Sequence, residues 1–227
     1  MDLKAEANSL VSFMNGFRGE SYEALSQRVN LVTNAKNKNA ILINKIAEGY
    51  KGPGYLKSLC ECANLIIKTV QLKENGYPKE AMSFPYFSYD KIVRETWDES
   101  ETKRLFLSTL LIAVFQQGRS GNVFKGAFLW KMPESDLNGE VKEVWQKTVD
   151  ILKSGDVVVS DDGKTVLAFP HEKDTKICHV RPHGRNSLDL SKLPVRDSSK
   201  NYGGLSKQSF WLNHDYVDAI VKKNLPA

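Results

Sequence analysis

Leu65-Ile66-Ile67-Lys68-Thr69-Val70-Gln71-Leu72 is the stretch on which the reading of the fold turns. It is rich in β-branched residues and free of Gly and Pro. It runs into Glu74-Asn75-Gly76, a turn signal, so it reads as a strand. The texture before it is different. Leu3, Ala7, Leu10, Val11 and Met14 recur at helical spacing, and Gly16 and Gly19 break that helix. Ser21 is placed to cap a short second helix carrying Leu25 and Val29, and Asn37 or Asn39 a third carrying Ile41, Ile43, Ile46 and Ala47. Gly49, Gly52, Pro53 and Gly54 close the helical region, which is expected to end near residue 54.

Beyond the decisive stretch, strands dominate. Met82 to Phe87, Leu105 to Phe115 and Val123 to Trp130 read as strands, with Tyr89 to Trp97 helical between the first two. A helix is expected from about Gly139 to Lys153, with Val141, Val144, Trp145, Thr148, Ile151 and Leu152 in one stripe. Val157 to Phe169 folds back around Asp162-Gly163, and Thr175 to Arg181 and Ser209 to Leu212 are short strands. Residues 183 to 207 form a long polar loop, and Asp215 to Lys223 a last helix. The fold class is α+β, read as one domain over 1–227 with a helical part at about 1–54 and a sheet-containing part at about 55–227.

Composition bounds the function. Of 227 residues, 41% are hydrophobic and 26% charged, which excludes a largely disordered chain. Lys+Arg number 32 against 27 Asp+Glu, a net charge of +5. That excess points to an anionic partner without naming it, and falls well short of histone-like basicity. No apolar run reaches the roughly eighteen residues of a membrane span. The opening MDLKAEANS has no apolar signal region, so the expected location is cytoplasmic. Three cysteines do not make a disulfide framework. A zinc site from Cys60, Cys62, Cys178 and His179 is conceivable, yet Cys60-Glu61-Cys62 lacks the usual ligand spacing and buried thiols are the better reading.

Lys68 is the residue with chemical interest. Many metal-dependent nucleases carry Glu-x-Lys on a strand, so that both side chains share one face and meet one Mg²⁺ and one phosphate. Here the position two before Lys68 is Ile66, which offers no oxygen to a hard cation.

Asn64 to Leu72, followed by Glu80-Ala81-Met82-Ser83-Phe84, resembles the MutH family and its GATC-cutting type II restriction relatives, the Sau-type endonucleases. Three further blocks agree in order: Phe124-Lys125-Gly126 through Met132-Pro133 to Trp145, then Ile177-Cys178-His179-Val180-Arg181-Pro182-His183, then Lys207-Gln208-Ser209-Phe210-Trp211-Leu212-Asn213. The resemblance covers nearly the whole chain. It is closest to the C-terminal half of the Sau-type enzymes, a MutH-like domain that has lost its catalytic residues and serves as a DNA-binding, allosteric half.

The resemblance implies a MutH-like restriction-endonuclease fold, with a mixed central sheet, flanking helices and a DNA-binding cleft between two lobes. It also implies a degenerate catalytic centre. The family's carboxylate positions fall at Leu59, Ile66 and Lys45, with Lys68 left as a phosphate contact or a remnant. The implied DNA-binding residues are Arg181, Pro182 and His183, where active members carry an Arg-Pro-Lys loop, together with Lys207, Gln208, Trp211 and Lys68. Arginine is the usual bidentate reader of guanine, and glutamine can pair with adenine. The expected partners are double-stranded DNA carrying GATC and a catalytic domain N-terminal to this segment. Met1 would then mark the boundary of a piece. No cofactor is expected for this domain, and Mg²⁺ is expected for the catalytic domain. Two alternatives stand beside this reading: an active Mg²⁺-dependent endonuclease with displaced carboxylates such as Glu61 or Asp90, and a scaffold that only dimerises with the catalytic half.

Overall fold

The computed structural model describes residues 2–119, 121–154, 157–159, 165–184, 190–191 and 205–225. In chain order the elements are α1 (Leu3–Asn15), α2 (Tyr22–Arg28), α3 (Lys38–Glu48), α4 (Pro53–Cys62), β1 (Leu65–Leu72), β2 (Met82–Tyr86), α5 (Tyr89–Ile92), α6 (Glu101–Phe106), β3 (Thr109–Gly118) and β4 (Gly121–Trp130). There follow α7 (Glu134–Asp136), α8 (Lys142–Ser154), β5 (Val157–Val159), β6 (Thr165–Leu167), β7 (Cys178–Pro182), β8 (Leu190–Ser191), β9 (Leu205–Ser206), β10 (Gln208–Leu212) and α9 (His214–Asn224). The α+β class holds. The strands are arranged as small sheets with flanking helices: among the described residues they form two three-stranded sheets, the mixed β1-β3-β4 and the antiparallel β2-β10-β7, with two minor pairs, β5-β6 and β8-β9.

The chain divides into two compact units, one of residues 1–80, 108–131 and 217–227, the other of residues 81–107 and 132–216. In the first, β1 runs parallel to β3, and β3 antiparallel to β4. One face of this sheet carries Leu65, Leu111, Ala113, Phe115, Phe124 and Ala127. These pack against Leu10 and Met14 of α1, Leu42, Ile43 and Ile46 of α3, and Leu56 and Leu59 of α4. Leu111 and Phe115 are fully buried, and each such side chain contributes roughly 1.5–3 kcal/mol. Asn64 makes the turn from α4 into β1. It holds φ at +46°, a left-handed conformation that Asn tolerates after a helix. Its carbonyl accepts from Thr109 N–H at 2.9 Å and its side chain from the Ser108 hydroxyl at 2.9 Å, which ties β1 to the start of β3.

Three local expectations fail. The Gly/Pro cluster at 49–54 does not end the helices, because Pro53 stands at the first position of α4, where its missing N–H has no intrahelical bond to lose. The apolar run from Leu105 is not a strand from its start. Ser100 caps α6, its hydroxyl accepting from Lys103 N–H at 3.0 Å, and the strand begins only at Thr109. Similarly, helix after Tyr89 stops at Ile92, with a separate 3-10 turn at Trp97–Glu99. The Ser21 cap is as expected, its hydroxyl accepting from Ala24 N–H at 3.1 Å.

In the second unit, β10 lies between β2 and β7 and is antiparallel to both. Phe84, Phe87, Phe106 and Phe210 make a linked ring cluster, with Phe84–Phe106 centroids 4.5 Å apart and Phe87–Phe210 centroids 5.1 Å apart. Trp145 of α8 is buried against Trp97 at 5.5 Å. The turn at Asp162-Gly163 and most of the long 183–207 loop lie outside the described residues. No helix among the described residues is long and apolar enough to cross a membrane.

Gly126 in β4 is a sensitive point. Its φ is +126°, and a Cβ there would meet Asn15 Oδ1 at 3.0 Å and Arg18 Cδ at 3.2 Å. Gly126→Ala should lower the unfolding free energy by about 1–3 kcal/mol, measured by urea denaturation. An unchanged midpoint would contradict this account of the strand.

Candidate nucleic-acid interface

The register of β7 against β10 decides which side chains meet. Ser209 pairs with Arg181, Phe210 with Val180 and Trp211 with His179. Directly paired residues share a sheet face, and faces alternate along a strand. One face therefore carries Val180 and Phe210 into the phenylalanine cluster. The other carries His179, Arg181, Ser209 and Trp211. The ladder continues past the strand ends, where His183 N–H donates to the Lys207 carbonyl at 2.8 Å.

On that second face Trp211 is a platform. The Arg181 guanidinium lies over its ring at 4.2 Å, and the His183 ring sits 5.0 Å from it. Trp211 itself is 8% exposed, while Arg181, Pro182 and His183 are exposed. The Trp211 indole Nε1 is buried without a hydrogen-bond partner among the described residues. His183 Nδ1 lies 3.0 Å from the Phe84 carbonyl and 2.9 Å from the Ser209 hydroxyl. A carbonyl only accepts, so Nδ1 carries the proton, and Nε2 is the acceptor of the neutral ring. A cation stacked on an indole keeps its charge while its flat side is covered, leaving its N–H edge for an outside acceptor.

At the other edge, Lys207 Nζ lies 4.5 Å from the centre of the Tyr86 ring. Tyr86 is 54% exposed, unusual for so large a side chain. A bulge sets it there: Ser209 pairs with Tyr86 but Trp211 with Ser83, so β2 holds one extra residue. Pro85 falls in that bulge, on an edge strand where a missing N–H is tolerated. The sequence alone did not single out Tyr86.

Gln208 is placed differently from its expected role. It is buried, and its amide donates to the Ser206 carbonyl at 3.2 Å and lies 3.3 Å from the Ser206 hydroxyl. Alternation puts it on the Phe210 face, away from Arg181 and Trp211. His179 is buried on the polar face, its Nδ1 2.7 Å from Asn213 Oδ1. Burial holds its basicity below the ordinary value.

The positions expected from the resemblance to be degenerate catalytic ones, Leu59, Ile66, Lys68 and Lys45, all lie in the first unit. Ile66 and Lys68 share one face of β1, opposite the face bearing Leu65. Their β3 neighbours are Leu110 and Ile112, both buried. Leu59 lies on α4 and packs on the Leu65 side, so it does not join Lys68. Lys45 is exposed on α3. This set supplies no oxygen donor and does not fit Mg²⁺. Glu61 is exposed and faces Lys57 at 4.0 Å, and Asp90 is exposed on α5. Among the described residues no three His, Cys, Asp or Glu side chains come together. The zinc grouping fails locally too. Cys60 and Cys62 are two apart on α4, a spacing that does not share a helix face, and Cys178 is buried, which pushes its thiol well above the usual range.

Burial brings the Lys68 ammonium down to about 8. A lysine whose folded value lies below its unfolded one costs stability wherever the unfolded chain is the better proton binder. Lys68→Met should therefore raise stability at pH 7 by about 1–3 kcal/mol. The wild type should gain on that variant as pH rises from about 8 towards about 10.5. Urea titrations across that range check both; a variant less stable at pH 7 would show that contacts of the ammonium outweigh its desolvation.

The chain is similar to the type II restriction enzyme Sau3AI of Staphylococcus aureus, with 34% identity over 190 residues. The match takes in 71% of this chain and 39% of that enzyme, so the chain spans well under half the length of the curated relative it matches. No protein-family model matches the chain. The similarity relates the chain to Sau-type restriction enzymes.

Proposed function

We propose that this chain is a DNA-binding, catalytically silent part of a Sau-type restriction enzyme. It holds double-stranded DNA at GATC and acts as an allosteric partner of a separate catalytic part, which uses Mg²⁺ and cuts. The observation that carries this reading is the Arg181–Trp211–His183 stack, with the exposed Arg181 4.2 Å above a buried indole. The similarity to a type II restriction enzyme supplies the class of partner.

The roles follow from the chemistry. Arg181, fixed by its stack, presents a fork that matches guanine O6 and N7. His183 offers Nε2 beside it. Lys207, a half-buried ammonium over Tyr86, suits a backbone phosphate, which positions the duplex without reading it. Gln208 reaches adenine only by releasing Ser206. Silence in cleavage rests on Leu59, Ile66 and Lys45, which bring no carboxylate to Lys68; Lys68 itself is retained as a phosphate contact. For allostery the catalytic part must differ in affinity between DNA-bound and free states of this part.

Fluorescence anisotropy with a GATC duplex and a scrambled duplex at two salt concentrations tests the reading. The GATC duplex should bind more tightly, and salt should weaken both. Arg181→Ala should cost about 1–3 kcal/mol on GATC and erase the preference. Lys207→Ala should weaken both duplexes alike and lower the salt slope by about 1. Equal binding of the two duplexes by the wild type would sink the site-specific claim.

A further inference from the structure

The His183 imidazole is held in one tautomer by the sheet beside it. The backbone is fixed first, since His183 N–H donates to the Lys207 carbonyl at 2.8 Å and carries the β7–β10 ladder past the end of β7. The ring is fixed second. Its Nδ1 lies 3.0 Å from the Phe84 carbonyl of β2 and 2.9 Å from the Ser209 hydroxyl of β10. Phe84 falls in the β2 bulge, between the Tyr86–Ser209 and Ser83–Trp211 pairs. Ser209 is fully buried, and the imidazole rests 5.0 Å from the buried Trp211 ring. One nitrogen is therefore tied to two other strands, although the side chain as a whole is exposed. Among the described residues the other nitrogen, Nε2, makes no hydrogen bond.

This anchoring sets the sign of what the ring offers. A neutral imidazole with its proton on Nδ1 presents a lone pair at Nε2 and no donor. It takes an N–H and repels another acceptor. Arg181, two residues earlier and on the same face, presents only donors, with its flat side over Trp211 at 4.2 Å. The end of β7 thus pairs a donor fork with a fixed acceptor. In the major groove, guanine O6 and N7 and thymine O4 are acceptors, which suit the fork and are refused by Nε2. The donors there are the exocyclic amines, cytosine N4 and adenine N6. A phosphate oxygen only accepts, so the neutral ring is a reader of bases and not a contact to the backbone.

We propose that His183 is a specificity-determining residue that accepts, through Nε2, a hydrogen bond from the exocyclic amine of a base. The proposal rests on the DNA-binding reading above. GATC supplies such an amine from two sources, cytosine N4 and adenine N6.

The test uses the whole chain and duplexes that lack one kind of amine. In one duplex 2-pyrimidinone replaces the cytosine of GATC, and in the other purine replaces the adenine. Anisotropy gives the Kd of each duplex, and of the unaltered one, for wild type, His183→Phe and His183→Lys. The phenylalanine keeps a ring beside Trp211 without an acceptor, and the lysine is a donor only. Removing the amine that Nε2 reads should weaken wild-type binding about 5-fold more than it weakens either variant, the size of one neutral hydrogen bond. Comparison with the variants cancels the general effect of weaker base pairing. A loss confined to the 2-pyrimidinone duplex identifies cytosine N4, and one confined to the purine duplex adenine N6; a loss in both identifies an acceptor shared by neighbouring amines. Thermal melts check that the variants fold, and if one does not, the other carries the comparison. Nitrogen-15 spectra of the free wild type at alkaline pH supply a readout that needs no DNA, with the proton expected on His183 Nδ1. A proton on Nε2, or equal losses in wild type and folded variants with both duplexes, overturns the proposal. A wild type indifferent between GATC and a scrambled duplex overturns the DNA-binding reading along with it; a wild type that prefers GATC without any His183-dependent loss overturns this proposal alone.

Discussion

The pairing of β10 with β7 is the constraint on which the candidate interface depends. Ser209 opposite Arg181 and Trp211 opposite His179 put the arginine, the indole and the neighbouring imidazole on one face. A slip of a single residue would send that set into the phenylalanine cluster and bring Phe210 out to the surface. Register is therefore held by the burial of Phe210 and Leu212 as much as by the ladder itself. The interface residues inherit their geometry from a hydrophobic core to which they do not belong.

Around that register the second unit arranges charge over aromatic surface twice, Arg181 over Trp211 and Lys207 over Tyr86. Both cations are oriented before any ligand arrives, which lowers the ordering cost of binding. The first unit shows the opposite use of a cation. Lys68 stands on a strand face among apolar neighbours, where its charge is costly. It is the side chain for which a phosphate contact is proposed here.

Much of the fold was legible in the residues, and the failures have physical causes. The helical stripes of α1, α3 and α8, the Ser21 cap and the strand at Leu65–Leu72 follow from local periodicity and capping. Helix α4 was hidden because Gly52-Pro53-Gly54 reads as punctuation, although Pro53 at a first helical position is also a start signal. The uninterrupted apolar run from Leu105 concealed the change from α6 to β3, which only the Ser100 cap betrays. The split into two sheets rests on long-range pairing, such as β2 with β10, which no local pattern encodes. At the candidate site, Arg181, His183, Trp211 and Lys207 came from resemblance, and the structure gathers them. The inward turn of Gln208 was readable from alternation, since it shares a face with Phe210. Tyr86 was not readable, because its exposure comes from a bulge around Pro85.

The central claim is that the face built by β7 and β10 is where DNA binds. Amide hydrogen exchange of the whole chain, with and without a GATC duplex, measures this directly. The account predicts DNA-dependent protection concentrated at 181–183 and 205–211, with little change in the buried core helix α8. Protection that leaves those segments untouched while the duplex is bound would contradict it.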